Sequence, residues 1–174
     1  MTARTWARGA LAAAAVLALT ACASLPSADA GPDRAADREA IEATLFRYTR
    51  GTDRVDPDLF TSAFLPDGEL LLGATVYKGH EALSGLIEGV AEQRADAATR
   101  GEPPTGSFHV TTNESIEFVD DDTAIRRAYR MTLSRNGEGA AATVSILAAG
   151  STAAELVRRD GSWLIRRVEV SAEP

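Results

Sequence analysis

The sequence predicts an α+β domain, because two hydrophobic periods follow one another along the chain. Between Asp37 and Val90 apolar residues recur three and four apart, the helical period, whereas beyond Gly106 they alternate, the strand period. Two dipeptides, Asn136-Gly137 and Asp160-Gly161, each stand between β-branched runs and favour two-residue hairpin loops. Helices first and an antiparallel meander after them is an α+β order.

The elements follow in turn. Ile41, Leu45 and Tyr48 share one face of a first helix, charged Arg38, Glu42, Arg47 and Arg50 lie elsewhere on it, and Gly51 is its expected stop. Asp56-Pro57 offers an N-cap followed by proline at the first helical position, so Leu59, Phe60, Ala63 and Phe64 form a short second helix. Pro66-Asp67-Gly68 is expected as a turn, Glu69–Leu72 and Thr75–Tyr77 as two short strands about Gly73. Gly79 leads into a third helix with Ala82, Leu83, Leu86, Ile87 and Val90 as its core stripe.

Residues 107–171 are expected as a four-stranded meander, with a further turn at Val119–Thr123. A two-residue loop at Asp160-Gly161 sets Trp163 opposite Arg158, Ile165 opposite Leu156 and Arg166 opposite Glu155, which gives a cation–π pair, an apolar pair and a salt bridge. The same loop length at Asn136-Gly137 sets Tyr129 opposite Val144 and Arg127 opposite Ile146.

The start of the chain reads as an address. Arg4 and Arg8 precede a weakly apolar stretch, Gly9–Ala21, which is 13 residues long and so short of the roughly 20 a membrane-spanning helix needs. Leu19-Thr20-Ala21-Cys22 resembles the lipobox of bacterial lipoproteins, with cleavage before Cys22 and lipid on its sulfur. The expected organisation is a signal peptide over 1–21, an acylated cysteine and tether over 22–33, and a folded domain over 34–174. That makes the protein lipid-anchored on the extracytoplasmic face of the cell membrane.

Composition excludes several classes of function. The 174 residues carry 18 Lys plus Arg against 25 Asp plus Glu, a net charge of −7, and loss of Arg4 and Arg8 with the signal makes it −9. Such a charge argues against nucleic acid. Cys22 is the single cysteine, so no disulfide, CxxC redox pair or thiolate metal site can form. Asp120-Asp121-Asp122 lacks the spaced acidic ligands of a calcium loop, and the two histidines give no zinc spacing. Nothing calls for a cofactor or a metal.

Five segments in order carry a family resemblance: Tyr48-Thr49-Arg50-Gly51-Thr52-Asp53, Asp56-Pro57-Asp58-Leu59-Phe60, Gly79-His80-Glu81-Ala82-Leu83, His109-Val110-Thr111-Thr112-Asn113, and Glu155 to Trp163. Together, over nearly all of residues 37–170, the chain resembles the SnoaL-like, scytalone dehydratase-like branch of the nuclear transport factor 2-like superfamily. The resemblance implies a cone in which a strongly curved antiparallel sheet wraps three N-terminal helices around a pocket. It also implies dimers packed through the sheet, and activities that range from dehydratase, isomerase and cyclase to non-catalytic binding.

The resemblance also singles out residues. Relatives place a catalytic histidine at the position of His109 and a carboxylate at that of Asp53. Such a pair facing a dry cavity could move a proton beside a carbonyl, with the Tyr48 hydroxyl holding a substrate oxygen. The second histidine of those dehydratases is missing from the matching stretch, Arg130–Ser134. Alternation puts His109, Thr111 and Asn113 on one strand face, so Asn113 is a candidate ligand contact, as are Tyr129 and Arg127, the latter for an anion. The doublets Arg126-Arg127, Arg158-Arg159 and Arg166-Arg167 each send one guanidinium to either sheet face, and the alternative for them is surface pairing, for example Arg166 with Glu155. His80 is expected to cap or pack at the start of the third helix. Trp163 would report ligand binding if it lies near the pocket. The expected ligand is a small, largely apolar molecule; the expected roles are acid–base chemistry or, alternatively, non-catalytic binding or protein interaction in the envelope.

Overall fold

A computed structural model of the chain describes residues 34–103 and 105–172; the expected signal, Cys22 and tether lie outside them. The elements are α1 (Arg34–Arg54), α2 (Pro57–Thr61), β1 (Phe64–Leu72), β2 (Thr75–Lys78), α3 (Gly79–Thr99), β3 (Thr105–Phe118), β4 (Thr123–Asn136), β5 (Thr143–Arg159) and β6 (Ser162–Ser171). The strands make one six-stranded curled sheet in the order β2-β1-β6-β5-β4-β3.

The sheet is not wholly antiparallel, as the sequence had suggested, because β1 pairs with β6 in parallel. These two strands are far apart in the chain, so no tight turn forces them to oppose one another. Register shifts interrupt the pairings between Phe64 and Glu69, Thr112 and Ser115, Thr132 and Leu133, and Glu155 and Leu156. Each inserts one or more extra residues into one strand, bends it and increases its twist, which supplies the curl.

Inside the curl, Ile41 and Leu45 of α1, Phe60 of α2, and Leu83 and Ile87 of α3 meet Ala124, Ala154, Leu156, Trp163, Ile165 and Val168 from the sheet. The apolar stripes expected on the first and third helices are therefore the faces that are buried. Tyr48, Phe60 and Phe64 form an aromatic cluster with ring centroids 5.2–5.8 Å apart. Asp56 caps α2, its Oδ1 accepting from the Leu59 N–H at 2.9 Å.

Three local expectations are corrected. The second helix ends at Thr61, so Ala63 lies beyond it and Phe64 opens β1. Gly51 does not stop α1, which runs on to Arg54 and is followed by Val55 at φ +56°. Its glycine serves close packing instead: a Cβ there would lie 2.5 Å from the Phe60 N. Pro66-Asp67-Gly68 is not a separate turn but the irregular part of β1.

The two dipeptides part company. Asp160 and Gly161 both take positive φ, +50° and +76°, and Arg159 pairs directly with Ser162 in a two-residue loop. At the other site only Gly137 is positive, and Asn136 pairs with Thr143, leaving residues 137–142 as the loop. The longer loop and the shift after Thr132 place Tyr129 opposite Ser151 and Arg127 opposite Ala153, not opposite Val144 and Ile146.

The last hairpin is held as its spacing suggested, with one adjustment. Arg158 lies over the Trp163 ring at 4.8 Å, and Leu156 pairs with Ile165. The shift at Glu155 makes Arg167 its backbone partner, yet the Arg166 side chain still reaches it at 2.7 Å. Buried Asp37 ties this hairpin to α1, accepting from Trp163 Nε1 at 3.1 Å and from Arg158 at 2.5 Å. Burial pushes the Asp37 carboxyl up, but the hydrogen bonds from Trp163 and Arg158 and the charges of Arg158 and Arg34 outweigh it and hold the group below its ordinary range.

Candidate functional site

Between the helices and the inner face of the sheet lies a cavity of about 630 Å³, including its open mouth. Leu45, Phe60, Leu70, Leu72, Leu86 and Ile87 make its wall largely apolar. Polar groups gather on one side: Tyr48, Thr49 and Thr52 from α1, His109 and Thr111 from β3, Arg126 and Arg130 from β4, and Thr152 from β5.

Asp53, in the last turn of α1, meets His109 across this cavity's rim. One carboxylate oxygen, Oδ1, accepts both the His109 ring Nδ1–H at 2.7 Å and its main-chain N–H at 3.1 Å. Since a carboxylate only accepts, the ring proton sits on Nδ1 and the Nε2 lone pair is left free. Nε2 has no protein hydrogen-bond partner among the described residues, and the ring lines the cavity. The two side chains are 12% and 14% exposed, His109 and Asp53 respectively, so the pair is shielded from bulk water.

Burial pushes the His109 pKa below its ordinary value, and the Arg130 charge adds to that; Asp53 opposes both through its hydrogen bond and charge without overcoming them. The imidazole is thus neutral near pH 7, with a basic nitrogen exposed to an apolar chamber. Tyr48 is shifted the other way: burial raises its phenol, against the Arg130 and Arg126 charges, so it stays a protonated donor. Its ring packs on Phe60 and Phe64, leaving the hydroxyl without a protein partner among the described residues.

The remaining sequence candidates fall elsewhere. Asn113, Arg127 and Tyr129 line an open groove on the outer face of the sheet. Asn113 leaves the His109 face because β3 bulges there: Thr112 pairs with Tyr129 and Ser115 with Arg127, and Asn113 takes φ +53°. Arg127 points outward and meets Glu117 at 3.3 Å, while Arg126 turns inward. Glu114, returned to the inner face by the bulge, accepts from Arg126 Nε at 2.7 Å and from Nη2 at 2.5 Å. His80 sits at the start of α3 with Nε2 3.2 Å from the Phe64 carbonyl oxygen. Trp163 is fully buried and is not part of the cavity wall.

The sequence pointed to Arg127 as the inward member of its doublet where the structure has Arg126, and did not single out Arg130, though a signal for both existed. Ile116 and Phe118 alternate toward the core, and the short turn at residues 119–122 pairs them with Arg126 and Ala124. Counting from that turn, and not from Asn136-Gly137, identifies Ala124, Arg126, Ala128 and Arg130 as the inner face. Among the described residues no three His, Cys, Asp or Glu side chains gather in a way that could hold a metal ion.

Comparison with known proteins agrees with this architecture. Terrestric acid biosynthesis cluster protein E of Penicillium crustosum is 30% identical over 140 residues, covering 75% of this chain and 79% of that protein. Among solved structures, hexachlorocyclohexane dehydrochlorinase LinA-type3 from Novosphingobium barchaimii superposes with a TM-score of 0.64 at 25% identity, over 82% of this chain and 90% of that one. A putative scytalone dehydratase from Novosphingobium aromaticivorans gives 0.61 at 22% identity, over 81% and 87%. An NTF2-like protein with a cystatin-like fold from the same organism gives 0.62 at 22% identity, over 80% and 83%. Residues 33–169, which run from α1 into β6, match the SnoaL-like domain, and the chain belongs to that family.

Proposed function

We propose that the domain takes a small, largely apolar molecule into the cavity and moves a proton on it, in isomerase-, cyclase- or dehydratase-like chemistry. The observation that carries this reading is the free Nε2 of His109, oriented by Asp53 and facing an apolar chamber. Nε2 removes a proton from a carbon beside a carbonyl, the electron pair moves onto the carbonyl oxygen, and the imidazolium returns the proton to the same or another position. Asp53 holds the tautomer and balances the imidazolium charge, and the Tyr48 hydroxyl donates to the developing oxyanion. The structural relative named as a dehydrochlorinase supports acid–base work in such a cone.

The test is proton exchange in deuterium oxide, with a panel of cyclic and aryl ketones followed by mass spectrometry. Incorporation next to the carbonyl that His109→Gln abolishes supports the reading. Incorporation unaffected by that substitution, or none across the panel, favours the non-catalytic binding module.

The same proposal extends to where the domain sits and with what. The resemblance of Leu19–Cys22 to a lipobox supports a lipid anchor at Cys22 on the extracytoplasmic face. Cys22→Ala would then move the protein from a detergent-rich to an aqueous phase on partition. Exposed Phe108, Tyr129, Val144 and Ile146 leave an apolar outer sheet face, which favours a second copy of the chain against it. Light scattering of the soluble domain should return a dimer mass, and Ile146→Glu a monomer.

A further inference from the structure

We propose that the chamber recognises an anionic group through Arg130, so that its ligand is an apolar molecule carrying one carboxylate. This rests on the reading of the cavity as a small-molecule site and adds to it a ligand class.

Two arginines line the cavity from the inner face of β4, and they stand in different electrostatic states. Arg126 is already neutralised, its Nε and Nη2 both donating to Glu114 Oε2. Arg130 has one protein hydrogen bond, from Nη2 to the Thr132 hydroxyl at 2.8 Å, and no carboxylate within ion-pair distance among the described residues. Asp53, at the cavity rim, is committed through Oδ1 to two N–H groups of His109. A guanidinium keeps its proton at any working pH and is costly to desolvate without a partner. Filling this cavity with an uncharged apolar molecule would strip water from Arg130 and replace it with nothing. A carboxylate on the ligand supplies what the wall lacks, because its two oxygens match the guanidinium fork.

The position of Arg130 fits that role. It pairs in register with Thr111, one inward position along β3 from His109, and its charge is felt at both His109 and Tyr48. The anion-reading group and the proton-moving pair thus share one side of the chamber, and the apolar residues Leu45, Phe60, Leu70, Leu86 and Ile87 face them. An acid bound there has its charged end on Arg130 and its body against the aliphatic wall. Burial is the larger cause of the lowered His109 pKa, and a carboxylate on Arg130 cancels the cationic charge that adds to it.

The experiment compares naphthoate with its uncharged analogue naphthamide by calorimetric titration of the folded domain. Wild type should bind naphthoate about 10- to 100-fold more tightly than naphthamide. Arg130→Met should bring the two within about threefold, Arg130→Lys should keep part of the preference, and Arg127→Met on the outer face should leave it unchanged. His109→Gln should keep the preference as well, which separates this inference from the proposed chemistry. Preference without proton exchange overturns only the catalytic reading; exchange without preference overturns only this one. In histidine NMR titrations naphthoate, but not naphthamide, should raise the His109 pKa. Equal affinities in wild type, no binding of naphthoate, or a preference that survives Arg130→Met would overturn the proposal.

Discussion

Asp53 Oδ1 accepts two hydrogen bonds from one residue, the ring and main-chain N–H groups of His109. This double contact fixes the imidazole in both position and tautomer, because the main-chain bond holds the carboxylate against β3 while the ring bond places the proton on Nδ1. The last turn of α1 and an edge strand of the sheet are thereby joined at the cavity rim.

The tautomer can be read without knowing the substrate. In nitrogen NMR of histidine-labelled domain, His109 should show a protonated Nδ1 and a bare Nε2. Asp53→Asn, whose amide can donate to Nδ1, should shift the proton toward Nε2; turnover of any exchanging ketone should then fall by about 10²–10⁴-fold. An unchanged nitrogen spectrum in Asp53→Asn would refute the assignment.

The His109 shift has a consequence for stability. Its folded pKa lies below the ordinary 6.5, so as pH falls the unfolded chain takes up the proton first. The neutral imidazole's contribution is fully present above about pH 6.5 and is lost as pH falls toward the folded value. Urea midpoints should decline through this window in wild type, and His109→Gln should flatten the decline.

Gly51 and Gly85 make a matched pair of opposite sign. Both are helical, but a methyl at Gly51 would lie 2.5 Å from the Phe60 N and 2.6 Å from its Cα, whereas at Gly85 nothing lies within 4 Å. Gly51→Ala should cost about 1–3 kcal/mol by pushing α2 off α1. Gly85→Ala should gain about 0.5–1 kcal/mol from helix propensity alone. Denaturant unfolding of the two variants decides it.

Asp37→Ala removes the acceptor of Trp163 Nε1 and leaves Arg158 with Asp121, Asp122 and the Trp163 ring. The loss should be about 2–3 kcal/mol, since a buried indole N–H is left unsatisfied and a cation loses its buried partner. Trp163, the one tryptophan among the described residues, reports the unfolding midpoint by fluorescence. Because Trp163 lies outside the cavity wall, its emission should respond little to naphthoate.

Local chemistry explains what was legible without coordinates. The helical stripes of Ile41-Leu45-Tyr48 and Leu83-Ile87 need only a 3.6-residue period, and Asp160-Gly161 needs only two residues that tolerate positive φ. The resemblance pointed to Asp53 and His109, one at the end of a helix and one on the first strand of the meander. By themselves, therefore, the residues determined the α+β order, the faces of the long helices and the last hairpin.

Tertiary structure decided which side of each long strand faces inward. Side chains on a strand alternate, so one added residue reverses every face beyond it. The bulge at Asn113-Glu114 sends Asn113 out and Glu114 in; the loop at residues 137–142 together with the register shift after Thr132 moves the partner of Tyr129 seven positions along β5, from Val144 to Ser151. On β4 the more apolar side, with Tyr129, Met131 and Leu133, is the outer one, and the side with Arg126 and Arg130 faces the helices. The register shifts at Asn113-Glu114 and after Thr132 have no composition of their own in the sequence; they bend the strands that curl around three helices. That curvature placed Arg130, rather than Arg127, beside His109.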